Sequence, residues 1–285
     1  MKNNMKNNMK KLRLALFSAL ACLFLQSCND FLDVTPSGQY SDASVFTSTE
    51  GAQQVLIGAY DWFTNGHYAH YTNQYIFFMP DVAMVNSTGN YNRFVSPYQY
   101  SITPSSTYSV DPWIGCYSLI DNCNAILDNL ETLPESSERN RIEGESLALR
   151  TYAYHYLIRM YAKPVNKYPD NPGVILRLTS STTDIPRSTV KDCYVQMVND
   201  IEKACTLLTG TSSSSKCYIT EQAAHGIAAR IYLDLGDYTN GTSHANKALS
   251  EITLMSKADY KNKFCENNTE TIWYFTCTST DKQSF

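Results

Sequence analysis

Apolar residues recur at helical spacing in five stretches of this chain, and between the first two the pattern gives way to Tyr, Asn, Ser and Thr. In the first stretch, Thr47-Ser48-Thr49-Glu50 has the form of a capping box. Ala52, Val55, Leu56, Ala59, Tyr60 and Phe63 follow at i, i+3, i+4 spacing. The second places Asp111 as N-cap and Pro112 at the first helical position, where its missing N–H costs nothing. Trp113, Cys116, Tyr117, Ile120, Cys123, Leu127 and Leu130 form its stripe, and it ends before Pro134. The third covers 137–162 with Leu147, Arg150, Thr151, Tyr154, Leu157, Ile158 and Tyr161, and Lys163-Pro164 closes it. After a Pro/Asn-rich turn, 174–178 reads as a possible short strand. The fourth helix starts within Ser188-Thr189-Val190-Lys191-Asp192 and carries Val190, Cys193, Tyr194, Met197, Ile201, Ala204, Cys205 and Leu208. The Ser tract 212–215 is a loop.

The fifth stretch, 221–250, has small residues where two helices must cross closely. Ala229, Tyr232, Gly236, Asp237, Tyr238, Ala245 and Ala248 fit a tetratricopeptide helical hairpin with Gly-Asp-Tyr at the turn. One such unit cannot bury its own apolar face, so neighbouring helical pairs must stack on it. The fold class expected is mostly α: a tetratricopeptide-like helical repeat, a right-handed superhelix, with long irregular loops. The exception to the helical pattern is 64–110, with seven tyrosines and only Asp81 and Arg93 as formal charges. A connection of that length is functional or disordered, and its aromatic content argues against disorder.

The N-terminus has a different logic. Lys2, Lys6, Lys10, Lys11 and Arg13 lead into an apolar run at 12–25 that is short for a membrane span, the layout of a secretory signal. The run stops at Leu25-Gln26-Ser27-Cys28, which resembles the bacterial lipobox. In this reading 1–27 is a lipoprotein signal peptide, 28–285 is the mature region, and Cys28 carries diacylglycerol and an N-acyl chain such as palmitate. Acylation at Cys22 would truncate the apolar run, whereas Leu25 sits at the preferred third position before Cys28. An ordinary signal with an ordinary cysteine is the plainer alternative.

Subtracting the five signal cations turns the formal net charge of −4 into −9, which argues against a nucleic-acid partner. Tyrosine, at 21 copies, outnumbers Phe at 11 and Trp at 3, a bias that suits wet interfaces and carbohydrate surfaces. Beyond Cys22 and Cys28 there are Cys116, Cys123, Cys193, Cys205, Cys217, Cys265 and Cys277. An odd set without C-x-x-C or His-rich spacing reads first as buried thiols, with one or two disulfides next and metal last.

In this order the segments resemble the SusD/RagB family of nutrient-binding outer-membrane lipoproteins. The likeness rests on Ser27 to Pro36 at the mature start, Gly144 to Arg150 with Tyr152, Tyr154, Leu157 and Tyr161, Ile185 to Val190, Ala223 to Tyr238, and Asn268 to Ile272. Thr151 and Ala162 stand where the family usually has Ala and Gly. Family members run to about twice this length, so the resemblance covers an N-terminal half and the usual C-terminal half is missing. It implies a cell-surface lipoprotein, consistent with Asp30 after the acylated cysteine. Such a protein sits over a SusC-like TonB-dependent transporter and captures oligosaccharides, or sometimes peptides, without a cofactor or bond chemistry.

The resemblance also puts ligand residues in the loop after the first helices. There Tyr91 and Tyr98 offer platforms, and Asn86, Asn90, Asn92 and Arg93 offer hydrogen bonds. Trp62 and Trp113 are alternative platforms, but both fit helical stripes and read as core. Arg150 and Arg187 read as buried or capping hydrogen-bond donors. His67 and His70 have no third metal ligand in view, and His155 and His225 read as packed or interfacial. Two other functions stay open: a helical-repeat scaffold that binds protein, and a glycoside hydrolase, for which Asp81 and Asp111 flank the Tyr-rich loop without any spacing that fixes a carboxylate pair.

Overall fold

Helix α1, Thr49–Asp61, begins where the Ser48 hydroxyl accepts the Gly51 backbone N–H. The cap is thus one residue later than the capping box implied, because Ser48 itself has the extended backbone an N-cap needs. The computed structural model describes residues 45–62, 99, 101–181, 183–212, 215–250, 252–263 and 268–275. Two compact units divide at Val45, and all but that residue of the described set belong to the second, Phe46–Phe285.

Helix α2, Thr107–Asp128, has Ser106 at its N-cap position, five residues before the expected Asp111. The Ser106 carbonyl accepts from both Ser109 and Val110, which nucleates a turn upstream of Pro112. Asp111 is therefore not a cap, and Pro112 lies buried inside the helix. A 3₁₀ turn, Leu130–Thr132, finishes it before Pro134. Helix α3, Ser137–Tyr161, matches the expected span, with Ser136 capping the Arg139 N–H. Helix α4, Val190–Leu207, is capped by Thr189 on Asp192, and the Asp192 carboxylate in turn accepts from the Thr189 hydroxyl.

Helices α5, Glu221–Leu235, and α6, Tyr238–Leu249, form the expected hairpin. Gly236 ends α5 in the left-handed region at φ 74°, a conformation that suits glycine, and Asp237 caps α6 through the Asn240 N–H. A short helix, α7, follows at Lys257–Lys263. Among the described residues no helix is long and apolar enough to cross a membrane.

Successive helices pack as neighbours. α3 lies against α2 and α4, α4 against α5, α5 against α6, and α1 against α2 and α3. The chain is thus mostly α, with tetratricopeptide-like helical pairs around Tyr154, Leu149, Leu157, Met197 and Ile201, which are fully buried. Each such aliphatic or aromatic side chain contributes about 1.5–3 kcal/mol by leaving water. Cys116, Cys123, Cys193 and Cys205 are buried free thiols within this core, as their helical positions implied, and Cys217 is half-buried. Burial pushes the Cys123 and Cys205 thiols up to about 12.

The expected strand at 174–178 does not form. Gly173 N–H donates to the Ser188 carbonyl and Ser188 N–H to Val174, around an isolated bridge between Pro172 and Thr189. The rest of the segment is extended but takes its partners from helix side chains. Arg187 fulfils the capping role anticipated for it: its Nε donates to the Gly173 carbonyl and its Nη2 to the Tyr161 carbonyl at the end of α3.

Candidate functional site

Beneath the extended segment lies a chain of buried polar groups. Arg150, 5% exposed, donates Nε and Nη2 to the two carboxylate oxygens of Asp200 on α4 at 2.9 and 3.0 Å. Its Nη1 donates to Asn124 Oδ1 on α2 at 2.8 Å and to the Leu178 carbonyl. Asn124 then donates its amide to the Arg177 carbonyl, which also accepts from the Tyr154 hydroxyl. Three helices are thereby keyed to one loop, and each group is left with a partner, as burial requires.

Tyr117 extends this arrangement to the surface. Its hydroxyl donates to the Ile175 carbonyl and accepts the Ile175 N–H, both at 2.9 Å, doing for the loop what a neighbouring strand would do. Burial raises the phenol well above its ordinary value, so it stays a neutral donor. At the far end, Ser180 N–H donates to the Asp128 carboxylate and its hydroxyl to Asp121. The Arg177 guanidinium folds back onto the Ser181 and Thr183 carbonyls.

Between α2 and this loop runs an open groove of about 810 Å³, lined by Trp113, Ile114, Tyr117, Ser118 and Asp121 on one side and Ile175, Arg177, Ser180 and Ser181 on the other. The Trp113 ring stands 4.8 Å from Tyr117 and 5.0 Å, edge to face, from Tyr161. Trp113 is half-buried, so the helical stripe that marked it as core only anchors one edge of the indole. The groove combines aromatic surface with hydroxyl, carboxylate and guanidinium groups, a mixture that can hold the apolar C–H face and the hydroxyls of a sugar.

The loop residues singled out from the sequence, Asn86, Asn90, Tyr91, Asn92, Arg93 and Tyr98, lie outside the described residues, as do Cys28, Asp81, His67 and His70. Trp62 directly follows α1 and is half-buried. The groove's polar rim was not legible beforehand. Asp121 and Ser180 sit 59 residues apart and carry no motif.

A smaller cavity of about 340 Å³ lies where α3 ends, lined in part by Arg159, Lys163, Tyr194 and Asp234. His155, buried as expected, holds Asp234 through Nε2 at 2.8 Å, and Tyr194 donates to the same oxygen at 3.1 Å. Burial lowers His155 below its ordinary 6.5, against the pull of Asp234. Asp234 is half-buried, which works to raise it, but the bonds from His155 and Tyr194 and the nearby Arg159 hold it below 3.8.

Both shifts mean that the unfolded chain binds protons the folded one refuses. The His155 contribution is complete above pH 6.5 and is lost as pH falls through its folded value, whereas that of Asp234 is lost only in stronger acid. The thermal midpoint should therefore fall on acidification from about pH 7 to pH 5. His155→Gln, which cannot titrate, should flatten that fall when followed by circular dichroism. Equal slopes in the two proteins would show that His155 does not carry the effect.

Three comparisons bear on the identity of the chain. A family model named SusD-like and described as "Starch-binding associating with outer membrane" matches residues 30–233. A SusD-like protein of Bacteroides ovatus is 25% identical over 270 residues, covering 90% of this chain and 45% of its own length. The crystal structure of a SusD-like carbohydrate binding protein from Bacteroides vulgatus superposes with a TM-score of 0.70 at 26% identity, over 79% of this chain and 50% of that one. A SusD superfamily protein from Bacteroides thetaiotaomicron gives 0.66 at 28% identity, over 75% and 50%. The chain spans about half the length of the curated relatives it matches.

Proposed function

We propose a function from the premise that this chain belongs to the SusD-like family: it captures oligosaccharides at the cell surface and passes them to a SusC-like TonB-dependent transporter in the outer membrane. Cys28 is the proposed anchor, with the chain tethered by acyl chains alone. Each buried CH₂ adds about 0.8 kcal/mol, so several chains on one residue give stable attachment. The chemistry is binding, with no bond made or broken and no cofactor.

The observation that carries this reading is the groove at Trp113 and Tyr117. Its aromatic faces and short polar side chains are what a wet, shallow glycan site needs. The carbohydrate-binding relative at 26% identity supports the same ligand class. Asn86, Asn90, Tyr91, Asn92, Arg93 and Tyr98 are proposed as further ligand contacts from the preceding loop.

Isothermal titration of the full chain with a panel of soluble glycans, beginning with maltoheptaose, tests the proposal. One glycan class should bind, and Trp113→Ala should weaken it roughly tenfold or more, the effect of losing about 1.4 kcal/mol of ring contact. Asp121→Asn, which keeps the shape of the groove, should weaken the same glycan without altering the helical circular dichroism. A panel that leaves the protein unbound, or binding equal in wild type and both variants, would defeat the groove reading.

A further inference from the structure

Away from the groove, three successive helices bring a thiol and two imidazoles together in the interior. Cys205 comes from α4, His225 from α5 and His244 from α6, and all three are buried. Their sulfur and nitrogen atoms lie within 4.8 Å of one another, and the two Nδ1 atoms face each other at 2.9 Å. The outer nitrogen of each ring looks at a carboxylate. His244 Nε2 is 3.1 Å from Glu202 Oε1, and His225 Nε2 is 3.8 Å from Glu221 Oε1. Tyr232 fixes the arrangement further, since its ring stacks on His244 and its hydroxyl donates to the same Glu202 oxygen at 2.6 Å.

The proton count leaves one nitrogen of a buried ring, His225 Nε2, without a hydrogen bond. The Glu202 carboxylate 3.1 Å from His244 Nε2 favours an Nε2–H on that ring, which leaves a lone pair on its Nδ1. Two lone pairs 2.9 Å apart repel unless a cation lies between them. With both rings neutral and hydrogen-bonded to each other, the other ring, His225, carries its proton on Nδ1, and its bare Nε2 stands 3.8 Å from Glu221 Oε1, beyond hydrogen-bond reach. A metal ion bonded to both Nδ1 atoms would take up both lone pairs and free the His225 proton for Nε2, and the Cys205 sulfur is near enough to be a third ligand.

We propose that Cys205 Sγ, His225 Nδ1 and His244 Nδ1 bind one Zn(II) ion that staples α4 to the α5–α6 hairpin. A thiolate with two imidazoles suits this borderline-soft ion and not calcium or magnesium, which take oxygen ligands. Tetrahedral bonds of about 2.0–2.1 Å to nitrogen set the nitrogens a little over 3 Å apart, close to the spacing seen. On binding, the thiol proton leaves to solvent, and the His225 proton moves from Nδ1 to Nε2, toward Glu221. Glu202 and Glu221 act as positioning residues behind the rings. The site is independent of the glycan reading and is assayed without any glycan.

The test is titration of the reduced, metal-free full chain with zinc, repeated with cobalt(II) as a spectroscopic probe. One equivalent should bind, the thermal midpoint should rise with zinc, and the cobalt form should show a sulfur-to-metal charge-transfer band. Cys205→Ser should abolish that band, and Glu202→Gln should weaken zinc binding about 10–100-fold. No saturable binding, or a wild-type cobalt spectrum without the thiolate band, overturns the site whether or not a variant folds. Equal binding and an unchanged band in Cys205→Ser would equally reject it, by placing the metal elsewhere.

Discussion

Arg150→Ala is expected to destabilise the protein by about 3–5 kcal/mol, the cost of leaving a buried ion without its partner. Arg150 and Asp200 are each 5% exposed, and the guanidinium grips both carboxylate oxygens. Truncation leaves Asp200 with the Gln196 amide, which donates at 2.8 Å, but without a balancing charge. It also strips Asn124 and the Leu178 carbonyl of a donor. For a unit of this size each kcal/mol moves the thermal midpoint by roughly 2–4 °C, so a drop on the order of 10 °C is expected by calorimetry or circular dichroism. Replacing both charges, as Arg150→Met with Asp200→Leu, should recover much of the loss, because no unpaired ion then remains. A single-variant loss under about 1 kcal/mol would show that water reaches Asp200 and that the pair is not a fold determinant.

Gly173→Ala should also destabilise the protein, though less and by a different route. A β-carbon at this position would stand 2.8 Å from both Cys193 Sγ and the Thr189 carbonyl oxygen. Thr189 is the cap of α4, and the backbone there cannot yield without loosening the cap or the paired bonds of Gly173 and Val174 to Ser188. Overpacking of this kind costs about 1–3 kcal/mol. Because the same segment continues into Ile175 and Arg177, the proposed glycan site should also be weakened in the variant, which a pure stability defect at low temperature would not produce. Retention of both the wild-type midpoint and the wild-type affinity would show that the loop accommodates a methyl group by a small shift.

The helices were legible because their determinants are local. The stripe of α3 and its closure at Lys163-Pro164 fixed Ser137–Tyr161 to within a residue, and Gly236-Asp237 marked the hairpin turn. At the start of α2 the strong local Asp-Pro signal is overridden by the Ser106 turn. The groove was hidden for a deeper reason. Hydropathy at 174–178 suggests a strand, but nothing nearby in sequence reveals that its partners are Tyr117, Asn124, Tyr154 and Arg150 from two helices. Periodicity likewise set Trp113 on the buried side of α2 without telling how much of the ring reaches the rim. The cluster of Cys205, His225 and His244 left no trace at short spacing, because each ligand comes from a different helix.

The attachment of α1 bears on the order in which the chain can be completed. Tyr60 donates its hydroxyl to Glu145 at 2.5 Å and accepts the Ile219 N–H at 2.9 Å, a link across 159 residues. Closing so long a loop costs entropy that grows as about (3/2)RT ln n, and the bond cannot form until residue 219 exists outside whatever channel delivers the chain. A polypeptide emerging from its N-terminus first would hold α1 with part of its docking surface unmade while α2, α3 and α4 assemble from nearer neighbours. That interval is when α1 is most open to a protease or a chaperone, so the arrival of Tyr218 and Ile219 times the closing of α1 onto the rest.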